Sequence, residues 1–411
     1  MSNNIANAVV GQSGGPTAAI NATLAGVIKM CLEEKDKIGT LYGMKNGIAG
    51  FMNENMIDLT EYFADSESEL ELLASTPAAA LGSCRKKLGE EELEKIYSLF
   101  EKYNIRYFFY IGGNDSMDTV AKLTKYAQEH PGTFDVKLIG IPKTIDNDLV
   151  LTDHTPGFGS AAKFVAATMQ EMIRDCSVYP VKSVTIVEIM GRDAGWLTAA
   201  SALTGYVCGT GPDLIYVPET DFDEDKFIGD VNALLENGEK PYVVIAVSEG
   251  IRTADGTYVA QRAEKAFADG FGHSALSGVG KYLEELVKIK IDCKCRSVEL
   301  NITQRCASHL ASKTDIDESR RIGSAAVRHA LNGETGKMMS IRRVKASDKY
   351  KVEFFAEDVM QTANKIKKIP SSYLSDDGKG VNQKCIDYML PLIYGENPVI
   401  YEDGLPVHFE F

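Results

Sequence analysis

The fourteen residues YIGGNDSMDTVAKL, Tyr110 to Leu123, carry the reading on which the fold turns. The stretch closes an apolar run over residues 106–111, breaks at a glycine pair, and continues into apolar residues at helical spacing. A short β-branched and aromatic run that ends in glycine and passes into a helix is one half of a βαβ unit. The same punctuation recurs after the apolar runs at 5–10, 137–141, 183–189 and 242–247. Strands alternating with helices predict mainly parallel sheets, with ligands bound at the carboxyl ends of the strands. Asn114 and Asp115 sit at such an end, where many nucleotide-binding loops carry small neutral residues.

Composition narrows the function classes. The chain has 411 residues, 44% of them hydrophobic, enough for two cored domains. Its formal charge of −14 disfavours a non-specific nucleic-acid or anionic-membrane surface, both of which need a basic field. A polyanionic substrate remains compatible if cations gather in one cleft. The first residues, MSNNIANAVVG, lack the basic-then-apolar pattern of a secretory signal, and no apolar run approaches the roughly 20 residues that span a bilayer. Eight scattered cysteines, with Cys293 and Cys295 too close and isolated for a zinc set, suit a reduced, cytoplasmic protein. The acidic segment TDFDEDKFIGDVNALLENGEK predicts a solvated helix. No repeat or long linker divides the chain, so two domains would be interleaved.

Four loops at predicted strand ends carry candidate chemistry. In VVGQSGGPTAAINA, Gly11, Gly14 and Gly15 allow the backbone to approach a ligand, and a following helix N-terminus favours phosphate. No Walker A or GxGxxG pattern occurs, which weakens P-loop ATPase and dinucleotide-dehydrogenase readings. In GGNDS, residues 112–116, Asp115 or Ser116 caps the next helix, or Asn114 and Asp115 stand beside a phosphate-bound magnesium ion. In IGIPKTIDNDL, Asp146 and Asp148 lie two residues apart behind Lys143: a general base with a phosphate-neutralising cation, or ordinary turn chemistry. In VEIMGRDAGWL, Met190, Gly191 and Arg192 follow a strand and suit a phosphorylated ligand. Glu249 and Arg85 occupy similar settings.

Taken in order, GGPTAAINA, LGSCR, IGGNDS, PKTIDND, TPGFGSA, VEIMGR, AVSEG and CRSVELNITQR closely resemble the phosphofructokinase family over about four-fifths of the chain. The resemblance implies phosphoryl transfer to the 1-hydroxyl of fructose 6-phosphate. It implies that Asp146 is the base accepting that hydroxyl's proton, with Asp148 supporting it, and Lys143 and Arg192 completing the catalytic group. Thr144, Ile145 and Asp146 would line the sugar, with Met190, Gly191, Arg192 and Glu249. Arg305 would hold the 6-phosphate, and Arg296 would reach it from a neighbouring subunit, which implies a homo-oligomer, dimer or tetramer, with shared sites. Arg85 would reach the phosphates in transit, and Gly11, Gly14, Gly15, Gly113, Asn114, Asp115, Ser116 and Lys143 would form the donor side. Asn114 and Asp115 would hold Mg²⁺.

The donor follows from two substitutions within that resemblance. ATP-using members carry Gly-Asp-Gly-Ser and Pro-Gly-Thr-Ile-Asp where this chain has GGNDS and PKTIDND. A carboxylate at Asp115 would crowd and repel a nucleotide α-phosphate, and an ammonium at Lys143 would balance a shorter donor. Both mark the pyrophosphate-dependent branch. The chain departs from that branch at Asn114, commonly Asp. It departs at the 6-phosphate end too, where a second cross-subunit arginine is replaced by the neighbourhood of Lys182 and Ser183, and a ring residue by Ile302. Sedoheptulose 7-phosphate is therefore a second candidate acceptor. An ATP-dependent enzyme and a non-catalytic regulatory subunit are the alternatives within the family; the intact Asp146, Asp148, Lys143 and Arg192 set speaks against the latter.

The expected architecture is two Rossmann-like α/β domains with the active site in the cleft between them. The donor domain spans residues 1–157 and about 304–355. The sugar-phosphate domain spans 158–303 and about 356–380, and 381–411 form an irregular surface extension.

Overall fold

Two separate sheets organise the computed structural model, which describes residues 5–262, 278–344, 349–362 and 365–411. The larger contains β1 (Ala6–Gln12), β2 (Ile38–Met44), β3 (Met56–Asp58), β4 (Ile105–Gly112) and β5 (Lys137–Pro142). It is completed by β10 (Lys337–Arg343) and β11 (Val352–Asp358), in the order β11-β10-β5-β4-β1-β2-β3. The smaller contains β6 (Ser183–Ile189), β7 (Leu214–Tyr216), β8 (Tyr242–Ser248) and β9 (Lys294–Glu299), in the order β7-β8-β6-β9. Every pairing in the smaller sheet is parallel, and in the larger only the edge strands β3 and β11 run antiparallel. A mainly parallel α/β fold is thus what the strand-and-helix alternation predicts, because parallel strands need crossover helices on their faces.

All five strand runs read from the sequence are strands, and β1, β4, β5, β6 and β8 are their central members. Their interiors are almost wholly apolar and buried, as a sheet covered on both faces requires. The short strands β3 and β7 and the less apolar β2, β9, β10 and β11 escaped that reading. The expected boundary near residue 355 falls inside β11, whose pairing with β10 runs to Asp358.

Helix Ile20–Glu33 packs against helix Lys313–Leu331 on one face of the larger sheet, which returns a late segment of the chain to the first sheet. The two helices meet at glycines. A Cβ at Gly26 would lie 2.0 Å from the Arg320 carbonyl oxygen, and one at Gly323 2.2 Å from that of Thr23. The acidic segment is the helix Glu224–Asn237, and it is not solvated all round: Phe227, Val231 and Leu235, spaced four apart, are buried against the smaller sheet.

The extension expected over 381–411 is only partly irregular. It holds a helix, Gln383–Met389, that buries Cys385, Ile386 and Met389 in the core around helix Phe158–Cys176. A two-strand hairpin, β12 (Tyr401–Glu402) with β13 (Leu405–Pro406), follows it. All eight cysteines are free, and among the described residues no helix is long and apolar enough to cross a membrane.

Candidate active site

The register of each sheet brings its carboxyl ends level. Gln12 pairs with Ile111 and Gly112 with Pro142; in the smaller sheet Ile189 pairs with Ser248. The ladders also reach one residue into the loops: Ser13 N donates to Ile111 O, Lys143 N to Gly112 O, and Glu249 N to Ile189 O, each at 2.9 to 3.0 Å. The candidate loops are therefore held at their roots by sheet hydrogen bonds. They converge on a cleft of about 520 Å³.

Of the residues singled out in the sequence, the cleft is lined by Gly14, Gly15, Arg85, Gly113, Asn114, Asp115, Ser116, Lys143, Thr144, Ile145, Asp146, Asp148, Met190, Arg192, Glu249 and Arg305. Three stand apart. Gly11 lies inside β1, where a Cβ would meet Met44 Sδ at 2.7 Å, so its small size serves strand packing and not a ligand. Gly191 (φ +141°) shapes the turn behind the wall, donating to Glu249 Oε1 at 3.2 Å. Arg296, half exposed on edge strand β9, lies 3.7 Å from Asp175 and does not reach this chain's own cleft. The lining also includes Ser13, Lys86, Lys87, Thr119 and Asp193, which the sequence reading did not single out although all lie in or beside the quoted stretches.

Lys143 anchors the donor side. Its side chain is buried, and its Nζ donates to Gly15 O at 2.5 Å, joining the glycine loop after β1 to the loop after β5. Gly14 shapes the same loop: its φ of +77° is a left-handed backbone conformation that favours glycine. Burial pushes the Lys143 pKa down to about 8, with Arg305 and Arg85 adding to the fall and Asp146 opposing it. Lys143 is thus mostly charged at neutral pH.

Asp146 lies half-buried at the centre. Burial pushes its carboxyl up to about 7, and Asp148 and Glu249 reinforce the rise against Lys143 and Arg305. Asp148 is raised as well, again chiefly by burial. A carboxylate that titrates near neutrality is matched to taking a proton from a hydroxyl. The turn between the two is tight: Asn147, wholly buried, has φ 53°, and its Nδ2 donates to the Tyr388 hydroxyl at 2.8 Å.

Cations gather here although the chain is acidic. Among the described residues Arg85, Lys87, Arg192 and Arg305 make no ion pair, and Arg305 Nε is a buried donor with no partner. Lys86 pairs with Glu92 at 2.5 Å and Asp193 with Arg252. Asn114 Oδ1 is a buried acceptor without a partner, and Asp115 beside it is exposed to the cleft. No group of three or more His, Cys, Asp or Glu that could hold a metal ion occurs among the described residues.

Cations free to take up phosphate, facing a carboxyl tuned to neutrality, make this an α/β enzyme cleft suited to phosphoryl transfer onto a hydroxyl. Comparison with known proteins narrows that class: residues 7–330 match Phosphofructokinase, and the chain belongs to that family. It is 40% identical over 409 residues to a pyrophosphate–fructose 6-phosphate 1-phosphotransferase of Halomonas elongata, covering 97% of this chain and 94% of the relative. A pyrophosphate-dependent phosphofructokinase from Marinobacter aquaeolei superposes with a TM-score of 0.87 at 36% identity, over 99% of this chain and 96% of that one. A second, from Nitrosospira multiformis, gives 0.86 at 36% identity over 98% and 95%.

Proposed function

We propose that the protein transfers a phosphoryl group reversibly from pyrophosphate to the 1-hydroxyl of fructose 6-phosphate, releasing phosphate. The observation that carries this reading is that one cleft holds both an exposed carboxylate, Asp115, and the buried ammonium of Lys143 on Gly15 O. A carboxylate at the entrance repels a nucleotide's α-phosphate, while the ammonium favours a short, highly charged donor. The names of the relatives point the same way.

In this reading Asp146 takes the proton of the 1-hydroxyl as its oxygen attacks the transferred phosphorus and the bond to the leaving phosphate breaks. Lys143, Arg85 and Arg192 face the charge that spreads over the phosphoryl oxygens, and Arg305, with its unpartnered Nε, takes the sugar's 6-phosphate. Mg²⁺ fits the donor end: Asn114 Oδ1 and the Asp115 carboxylate offer hard oxygen ligands that would hold it. When bound it would neutralise pyrophosphate oxygens.

Arg296 serves a neighbouring copy in a homo-oligomer. It shares a shallow depression with Asp175, Tyr179, Val181 and Lys294, next to exposed Val178, Tyr179 and Val181. The deciding experiment compares initial rates with pyrophosphate and ATP, each with fructose 6-phosphate and sedoheptulose 7-phosphate. Pyrophosphate with fructose 6-phosphate is the expected pair. A preference for ATP would overturn the donor, and a preference for the longer sugar would overturn the acceptor.

A further inference from the structure

One short segment, residues 365–369, ties the donor-side loop, the Asp146–Asp148 loop and the smaller-sheet side together. Lys365 O accepts from Asn114 Nδ2 at 3.3 Å, on the donor side. Lys367 N donates to Asp148 O at 2.7 Å. Lys367 O accepts from the indole of Trp196 at 2.9 Å, and Ile369 N donates to Glu219 Oε1 at 2.9 Å, both beside the smaller sheet. Between these backbone ties the Lys367 ammonium turns inward. It donates to Asn147 Oδ1 at 3.0 Å, Asp153 O at 2.8 Å and Thr152 O at 3.2 Å, and it lies 5.5 Å from the Trp196 ring centroid.

We propose, building on the phosphoryl-transfer reading above, that Lys367 is a positioning residue for the catalytic loop: it pins the left-handed Asn147 turn between Asp146 and Asp148 and places a cation behind that turn. The direct partners of the ammonium are all neutral oxygens, which a neutral donor could satisfy. An ammonium drawn in among neutral groups is costly unless its charge acts on something nearby. The carboxylates that feel it are Asp153 and Asp148, with Arg343 opposing. Asp153 is already paired, with His154 at 2.8 Å and Arg343 at 2.8 Å. Asp148 is not: Lys367 and Lys143 are the cations that act on it, against Asp193 and its own burial. Burial holds the Lys367 pKa down to about 7, with Asp153 and Asp148 opposing the fall.

The test is the pH profile of kcat, measured with whichever donor the wild type turns over, so that failure of the donor assignment leaves the comparison intact. Lys367→Met removes the charge and keeps the length. Its kcat at pH 7 should fall on the order of 10²-fold, the scale of a small misplacement of catalytic groups. The acid limb should move up by about one pH unit, because Asp148 and, through it, Asp146 lose a stabilising cation. KM for both substrates should stay within about threefold, since no substrate contact is lost. Lys367→Arg should restore the acid limb even where kcat stays low. Tyr388→Phe removes the hydroxyl that links Asn147 Nδ2 to Asp153 O while leaving every charge in place. It should lower kcat without moving the limb. A Lys367→Met limb that coincides with wild type, or Tyr388→Phe turnover equal to wild type, overturns the proposal, as does a kcat loss that merely follows the folded fraction by circular dichroism.

Discussion

In the proposed mechanism the carboxyl of Asp146 is the base on which the pH dependence of turnover rests. Asp146 is raised from its ordinary 3.8 to about 7 by burial and by Asp148 and Glu249, so turnover that uses it as a base should fall as pH drops through about 7. Asp146→Asn should leave substrate binding near wild type and cut kcat by about 10²–10⁴-fold, the span for losing a general base; turnover close to wild type would remove Asp146 from that role. The same shift costs stability. The folded chain holds the proton more tightly than the unfolded one between pH 3.8 and about 7, so stability falls as pH rises across that window and stays lower above it. Thermal melts should therefore place Asp146→Asn above wild type at pH 8, with the gap closing toward pH 4. On the donor side, Asp115→Gly with Lys143→Gly removes one carboxylate and one charge-assisted contact. The latter is worth about 1.5–3 kcal/mol, roughly ten- to a hundredfold in affinity. Values of kcat/KM in the singles and the double should show a clear loss with pyrophosphate and a smaller gain with ATP, because nothing in the cleft guarantees an adenosine pocket. Unchanged pyrophosphate kinetics in the double would end the role given to Asp115 and Lys143.

At the level of elements, the contact between helices Ile20–Glu33 and Lys313–Leu331 joins the first loop of the site to a segment nearly 300 residues later. Gly26 and Gly323 let the two backbones touch, so Gly323→Ala should force them apart at an overpacking cost of about 1–3 kcal/mol. The readout is a lower melting temperature with cofactor-free fold and cleft chemistry retained; an unchanged melt would show that the helices slide without penalty. Such long-range packing is invisible in a sequence, where Gly323 reads only as a weak helix residue. The central strands were legible because burial on both faces writes a continuous apolar run, as in β4 and β8. Strand β9, KCRSVE, has only Cys295 fully buried and gives no such run, and β10 ends in Arg342 and Arg343. The acidic helix shows the intermediate case: its periodicity was readable, but the burial of Phe227, Val231 and Leu235 depends on a sheet assembled elsewhere. Site loops fared better than elements, since glycine, carboxylate and cation spacing is set by local chemistry. What stayed hidden is the support from afar, Lys367 and Tyr388, which reach Asn147 across more than 200 positions.

For the whole molecule, the question is whether one chain holds a complete site. Its own cleft gathers Arg85, Lys143, Arg192 and Arg305, but Arg296 lies on the far edge strand of the smaller sheet with its side chain half exposed and a loose 3.7 Å pairing to Asp175. An arginine kept at such an edge, among exposed Val178, Tyr179 and Val181, makes sense if a second copy covers that face and receives the guanidinium. The consequence can be tested without knowing the number of subunits. Arg296→Ala and Asp146→Asn chains, each nearly inactive alone, should regain part of the activity when refolded or co-expressed together. Some sites in a mixed assembly then combine the intact Asp146 of one chain with the intact Arg296 of the other. In a dimer with two shared sites and random mixing, half the assemblies are hybrids, and one of the two sites in each is intact. About one quarter of wild-type activity is then the ceiling, which follows from the symmetry of an isologous pair. Recovery should appear in kcat, with KM for the sugar phosphate restored in the active fraction. Hybrids proven by mass or by differential tags that remain inactive would place Arg296 outside the reacting site and make each chain's cleft complete on its own.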